Sequence, residues 1–186
     1  MRDLDIRTAL NQQLLGEHPP DDTSIFHEFG VAHGAARVDI GVVNGSMEGF
    51  EIKSDRDTLR RLPGQAEAYN RVFDKVWIVV SGKHVGRLSE VVPRWWGVRH
   101  ARETPDGVEI KIKRQAKLNP KRQPLALAQL LWREELLEAL TEHGVNQGML
   151  AKPKRTLQLA LVEAVELEEL ARIVRDAIKR RDWRSG

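Results

Sequence analysis

The 186-residue chain has no cysteine, so disulfides and thiolate metal sites are excluded, and the composition fits a reducing cytosol. No run of about 18 apolar residues exists that would span a membrane. The N-terminus Met1-Arg2-Asp3-Leu4-Asp5 carries early acids and no apolar core, so it does not read as a signal peptide, and the expected location is cytoplasmic. Histidines 18, 27, 33, 84, 100 and 143 are scattered without the spacing of a zinc site. The glycines form no phosphate-binding loop, and Ser46, Ser54 and Ser81 sit in no nucleophile elbow. There are no internal repeats and no low-complexity segments.

What remains is a chain with 41% hydrophobic residues, enough for a packed core. The net charge of +3 is unevenly spread. Lys111, Lys113, Arg114, Lys117, Lys121 and Arg122 follow one another with no acid between them, either as a polyanion-attracting patch or as a solvated linker.

Leu4, Ala9, Leu10, Leu14 and Leu15 have helical spacing, closed by Gly16 and Pro19-Pro20, and predict a helix of about 12 to 14 residues. Strands are expected at 24–29, 36–43 and 47–54, the last two joined around Asn44-Gly45. A helix over 57–72 must start at or kink around Pro63. The run Val76-Trp77-Ile78-Val79-Val80 reads as a strand buried on both faces. A short helix at 86–92 and a hairpin around Pro105-Asp106-Gly107 follow. After Pro120 and Pro124 only helices are expected, at 125–140, 156–165 and 167–178. The expected division is 1–120 as an α/β core and 121–186 as an all-helical C-terminal extension.

The informative segment is Arg37-Val38-Asp39 with Glu51-Ile52-Lys53. Two acids can hold a divalent cation, and a lysine can orient a water or offset charge on phosphorus. Their geometry depends on the turn. A two-residue loop at Asn44-Gly45 would pair Asp39 with Phe50 and break both apolar faces. An odd loop, Val43-Asn44-Gly45, sets Val38 opposite Phe50. It collects Val38, Ile40, Val42, Phe50 and Ile52 on one face and Asp39, Glu51 and Lys53 on the other, with Asp39 diagonal to Glu51. The plain alternative is a half-buried hairpin whose polar face meets solvent.

This element order, with Asp39 on one strand, Glu51-x-Lys53 on the next and Gln65-x-x-x-Tyr69 on one face of the following helix, resembles the PD-(D/E)XK nuclease superfamily. The likeness covers about residues 1–82. Val38 stands where the motif's proline would be, and the segment 51–69 resembles a small bacterial family within the superfamily. The resemblance implies a restriction-endonuclease-like mixed central sheet flanked by helices, in a bacterial or phage protein. It implies a nuclease that hydrolyses DNA phosphodiesters, with RNA left open, and uses Mg²⁺ or Mn²⁺. Asp39 and Glu51 would ligate the metal with the Ile52 carbonyl, and Glu28 would be a further acid reaching it. Lys53 would position the water. Gln65 and Tyr69 would orient the site or touch the phosphate backbone, and Arg56, Arg60 and Arg61 would contact phosphates or simply form a solvated helix face.

The rival reading is a non-catalytic DNA-binding or scaffold protein on a nuclease fold. Trp95-Trp96 fit the core better than base stacking. In the C-terminal part, Leu136, Leu137 and Leu140 followed by Gly144, Gly148, Lys154, Leu157 and Leu161 faintly resemble a SAP-like DNA-binding module. The alternative there is a helical bundle that packs on the core, on a second copy or on a protein partner.

Overall fold

The computed structural model describes residues 1–86 and 88–181. Six strands form one sheet in sequence order: β1 (Ser24–Val31), β2 (Ala36–Val43), β3 (Met47–Lys53), β4 (Lys75–Ser81), β5 (Gly97–Thr104) and β6 (Gly107–Arg114). The first three run antiparallel as a meander, β3, β4 and β5 are parallel, and β6 returns antiparallel. Each parallel step needs a crossover. The first is α2 (Leu62–Asn70), and the second holds the short α3 (Gly82–Val85) and α4 (Leu88–Val91). Pro63 sits in the first turn of α2, where its missing N–H costs nothing, so it starts the helix and does not kink one.

Two apolar clusters sandwich the sheet. On one face α1 (Asp3–Glu17) buries Ile6, Leu10 and Leu14 against Ile40, Val42, Phe50, Ile52, Trp77 and Val79. On the other face Met47, Val76, Ile78 and Val80 meet Tyr69 and Phe73. The same cluster continues without a break into α5 (Pro124–Ala128), α6 (Arg133–Glu142), α7 (Lys154–Ala164) and α8 (Leu167–Arg180). The fold is therefore α/β, a mixed sheet with helices on both faces and helices only after residue 120 among those described. This is the mixed central sheet flanked by helices, with a helical C-terminal part, that the sequence leads one to expect. The helix expected over 125–140 is two helices, parted by residues 129–132.

The C-terminal helices are clamped by charge as well as by apolar contact. Buried Asp74, just before β4, accepts the Met47 N–H at 2.7 Å and a bond from the Arg122 guanidinium at 2.6 Å, and Arg122 also holds Glu168 of α8. Arg114 donates to the Trp96 and Pro93 carbonyls. Two members of the basic run are thus structural, while Lys111, Lys113, Lys117 and Lys121 stay exposed. Trp96 is fully buried and donates to Asn70, in keeping with a core role.

The loop between β2 and β3 has odd length, as parity demands, but it is Asn44-Gly45-Ser46, closed by Val43 opposite Met47. The Asn44 side chain sets this position by accepting the Ser46 N–H at 2.9 Å, which makes Asn44 the first loop residue. The pairing slides by two residues, so Ile40, and not Val38, faces Phe50. A slide of two by itself moves no side chain to the other face.

Val38 is a separate correction. It joins the opposite cluster with Phe29 and Val31, because the alternation inverts at the Glu28–Asp39 step. Glu28 has φ +54°, a conformation that costs a non-glycine residue about 1–3 kcal/mol.

Gly97 tests the packing on the α1 face. It pairs with Trp77, whose ring stacks on Phe50 and lies under the Arg99 guanidinium, while its N–H is held by Glu48 at 2.7 Å. A Cβ at Gly97 would lie 2.1 Å from the Trp77 ring. Gly97→Ala is expected to lower the unfolding free energy by about 3 kcal/mol or more in urea titrations, since the ring has nowhere to move.

Candidate active site

One step beyond the last paired residues of β2 and β3 lie Asp39 and Glu51. Here the strands part, and an open cleft of about 730 Å³ begins. The gap is bridged by a side chain: Asp39 Oδ2 accepts the Ile52 N–H at 2.6 Å. A backbone donor that has lost its strand partner is satisfied this way, and Asp39 is fixed in the cleft floor.

Glu51 and Lys53, two residues apart on β3, share a face. They are only 2% and 6% exposed, so the polar face of the hairpin does not meet solvent. It is roofed by α2. Lys53 Nζ donates to Glu51 Oε1 at 2.6 Å and to Gln65 Oε1 at 3.2 Å. Gln65 Nε2 donates to the same Glu51 oxygen at 2.7 Å. The Tyr69 hydroxyl lies 2.7 Å from Glu51 Oε2 and 2.5 Å from the Arg37 carbonyl. The i, i+4 spacing of Gln65 and Tyr69 therefore delivers both to one carboxylate.

Tyr69 is fully buried, with its pKa raised by burial and by the Glu51 charge. Its hydroxyl is spent on Glu51 and the Arg37 carbonyl, so of the two roles expected of it, orienting the site or touching the phosphate backbone, its burial fits the first. Gln65 is bonded to the same carboxylate.

Glu28 reaches the site because of its positive φ, but it is half exposed and meets Arg7 at 3.1 Å. Asp39, Glu51 and Glu28 do not form a preassembled three-residue metal cluster among the described residues. Arg60 and Arg61 are exposed and line the cleft, whereas Arg56 is exposed outside it. The loop that carries them is pinned by Asp57, which accepts from the Ser54 N–H and hydroxyl at 2.8 and 2.6 Å.

Arg7 of α1 is the residue that sequence reasoning missed. Its Nη2 donates to Asp39 Oδ1 at 2.7 Å and its Nη1 to the Asp39 carbonyl at 3.0 Å, and Nε meets Asp3 at 3.3 Å. Burial opposes its charge, but Asp39, Asp3 and Glu28 more than offset that, and its pKa is raised. The available signal was Asp3 four residues upstream, an ion-pair spacing on a helix whose partner strand was not legible.

Asp39 has the other large shift. Burial first, then the Glu51 charge, push its pKa up to about 6, against the Ile52 N–H and Arg7, which lower it. Two carboxylates in a poorly solvated floor are still short of positive charge, even with Arg7 in contact. The donors available are hard oxygens, which suit a small divalent cation. The lining carries five acids (Asp3, Glu28, Asp39, Glu51, Asp57) and four bases (Arg37, Lys53, Arg60, Arg61). A polyanion gains little there until a cation is added.

The raised pKa has a stability consequence with a definite sign. A carboxyl with folded pKa near 6 and unfolded value 3.8 binds more protons when folded, so its favourable contribution is present below about pH 4 and is lost as pH rises through 6. The shift corresponds to about 3 kcal/mol. In urea titrations from pH 4 to 7.5, Asp39→Asn is expected to remove most of the loss that the wild type shows between pH 4 and 6. An unchanged pH slope would mean that Asp39 titrates normally.

Comparison with known proteins gives the chain's kinship. The family model described as Bacteriophage P4 protein cII matches residues 3–185. Protein cII of Enterobacteria phage P4 is 30% identical over 146 residues, covering 78% of this chain and 55% of that protein, so the chain spans about half the length of that relative. A solved structure, that of Pyrococcus furiosus SfsA in complex with Ca²⁺, is similar over 60% of this chain and 61% of its own at 17% identity and a TM-score of 0.34. With the family match running over nearly the whole chain, the protein belongs to the Bacteriophage P4 protein cII family.

Proposed function

We propose that this protein is a metal-dependent nuclease of the PD-(D/E)XK type, hydrolysing phosphodiester bonds in DNA. The observation that carries the reading is the convergence of Asp39 and Glu51 at the point where β2 and β3 part, with Lys53 bonded to Glu51 in the floor of an open cleft. Mg²⁺ or Mn²⁺ held by Asp39, Glu51 and the Ile52 carbonyl would neutralise charge at the phosphate and make a water more acidic. Everything else falls to the chain's own groups. Lys53 is held by Glu51 and Gln65 in one place, from which its ammonium can orient a water or meet charge developing on phosphorus. Gln65 and Tyr69 keep the Glu51 carboxylate from rotating. Arg60 and Arg61, at the mouth and paired with no carboxylate among the described residues, suit the flanking phosphates.

The second reading, a non-catalytic nucleic-acid-binding protein on this fold, is favoured by one observation. Arg7 already occupies Asp39, and both Glu51 oxygens are engaged. A cleavage assay on single-stranded, duplex and branched DNA and on RNA, with Mg²⁺ and with Mn²⁺, separates the two. Metal-dependent cutting is expected, falling about 100-fold or more in Asp39→Ala and Lys53→Ala with circular dichroism unchanged. The Arg60→Ala/Arg61→Ala pair should raise KM while kcat stays near wild type. Absence of cleavage on every substrate with both metals would end the nuclease reading.

A further inference from the structure

Asp39 has two carboxylate oxygens, and they are not equivalent. Oδ2 is committed to the Ile52 N–H at 2.6 Å, a bond that a backbone donor at the strand split cannot easily make elsewhere. Oδ1 is therefore the oxygen open to a ligand. It is the oxygen that Arg7 Nη2 holds at 2.7 Å, and the same nitrogen lies 3.1 Å from Glu28 Oε1. One nitrogen of one guanidinium thus holds the Asp39 oxygen that a metal would need, with Glu28 as its second acid.

Resting on the metal-site reading above, we infer that Arg7 is a resident counter-ion of this site, which a divalent cation must displace from Asp39 Oδ1. Four features carry this. The bond to Oδ1 joins a side chain of α1 to a side chain of β2 and can be exchanged for a metal bond by a turn of the guanidinium, which also gives up the 3.0 Å bond from Nη1 to the Asp39 carbonyl. The guanidinium has another partner within its own helix, since its Nε already meets Asp3 at 3.3 Å. Asp3 lines the cleft and is 43% exposed, so an Arg7 turned toward it stays at the cleft wall, where an incoming phosphate would meet it. Finally, Glu28 holds a positive φ that aims its carboxylate at this point, a strain whose return is an anionic pair around one cation position.

Arg7 thus has two states. Without metal it neutralises Asp39 and keeps the acids of the floor apart from one another's repulsion. With metal it is released to the wall as a phosphate contact. The cost is weakened metal affinity, since every binding event must break the pair. Metal affinity is therefore set by competition, and removal of Arg7 raises it.

The test is a calorimetric titration of MnCl₂ and MgCl₂ into the full chain, run on wild type, Arg7→Gln, Arg7→Lys, Arg61→Gln and Asp39→Asn, with thermal melting of each. Arg7→Gln is expected to bind Mn²⁺ about ten-fold or more tightly than wild type. Arg7→Lys, which keeps the charge but cannot reach both carboxylates and the carbonyl, should fall between the two. Arg61→Gln removes a charge from the same cleft without touching the carboxylates and should stay within about two-fold of wild type. Asp39→Asn should lose binding.

Wild type binding metal with Arg7→Gln no tighter overturns the counter-ion role and leaves the metal site standing. Equal gains in Arg61→Gln and Arg7→Gln overturn it too, because general field and not displacement would then be the cause. Should Arg7→Gln fail to fold, Arg7→Lys decides by the same comparison. No metal bound by wild type, Arg7→Gln or Arg7→Lys overturns the metal site itself, and the inference with it.

Discussion

The site depends on one hydrogen bond, from the Ile52 N–H to Asp39 Oδ2. Strand pairing between β2 and β3 stops at Ile40 and Phe50, and the two strands diverge. Divergence opens a cleft but leaves backbone groups without partners, and each such group costs free energy if it is buried unpaired. Asp39 resolves this by spanning the split with its own carboxylate. The same act draws an ionisable group into the poorly solvated floor, beside Glu51, and raises its pKa to about 6. Local folding logic and site electrostatics are thus one arrangement.

Around that bond the site is built in layers from different parts of the chain. β3 supplies Glu51 and Lys53, α2 supplies Gln65 and Tyr69 to hold Glu51, and α1 supplies Arg7 to neutralise Asp39. The C-terminal helices complete the opposite face of the sheet through the cluster that contains Tyr69 and Phe73. Arg122 and Asp74 tie those helices to the beginning of β4 and to the Met47 N–H. The helical region therefore supports the strands that carry the site.

Much of this was legible in the sequence, and the failures have physical reasons. Alternation along 40–43 and 47–53 shows which side chains share a face, because period two tolerates only odd loops here. It could not place the loop within one residue, since the deciding bond is from the Ser46 N–H to the Asn44 side chain. The face of Val38 was misread because the inversion at Glu28 is a backbone event, and nothing in Glu-Phe-Gly announces a positive φ at glutamate. Arg7 escaped notice because its partners Glu28 and Asp39 lie 21 and 32 residues away, and only the folded sheet brings them to α1. The sequence leaves Tyr69 two roles, orienting the site or touching phosphate, since a helical face can point equally at a cleft or at the core behind it, and its burial agrees with the first.

In the function we propose, Asp39 and Glu51 share a divalent cation, and Arg7 holds Asp39 Oδ1 until it binds. The most direct measurement is a crystal structure grown with Mn²⁺, using anomalous scattering to locate the ion. The expected result is an anomalous peak at coordination distance, about 2.0–2.3 Å, from Asp39 Oδ1 and a Glu51 oxygen, with the Arg7 guanidinium turned toward Asp3. A well-ordered crystal at millimolar Mn²⁺ with no peak between the two carboxylates, and Arg7 still on Asp39, would contradict it.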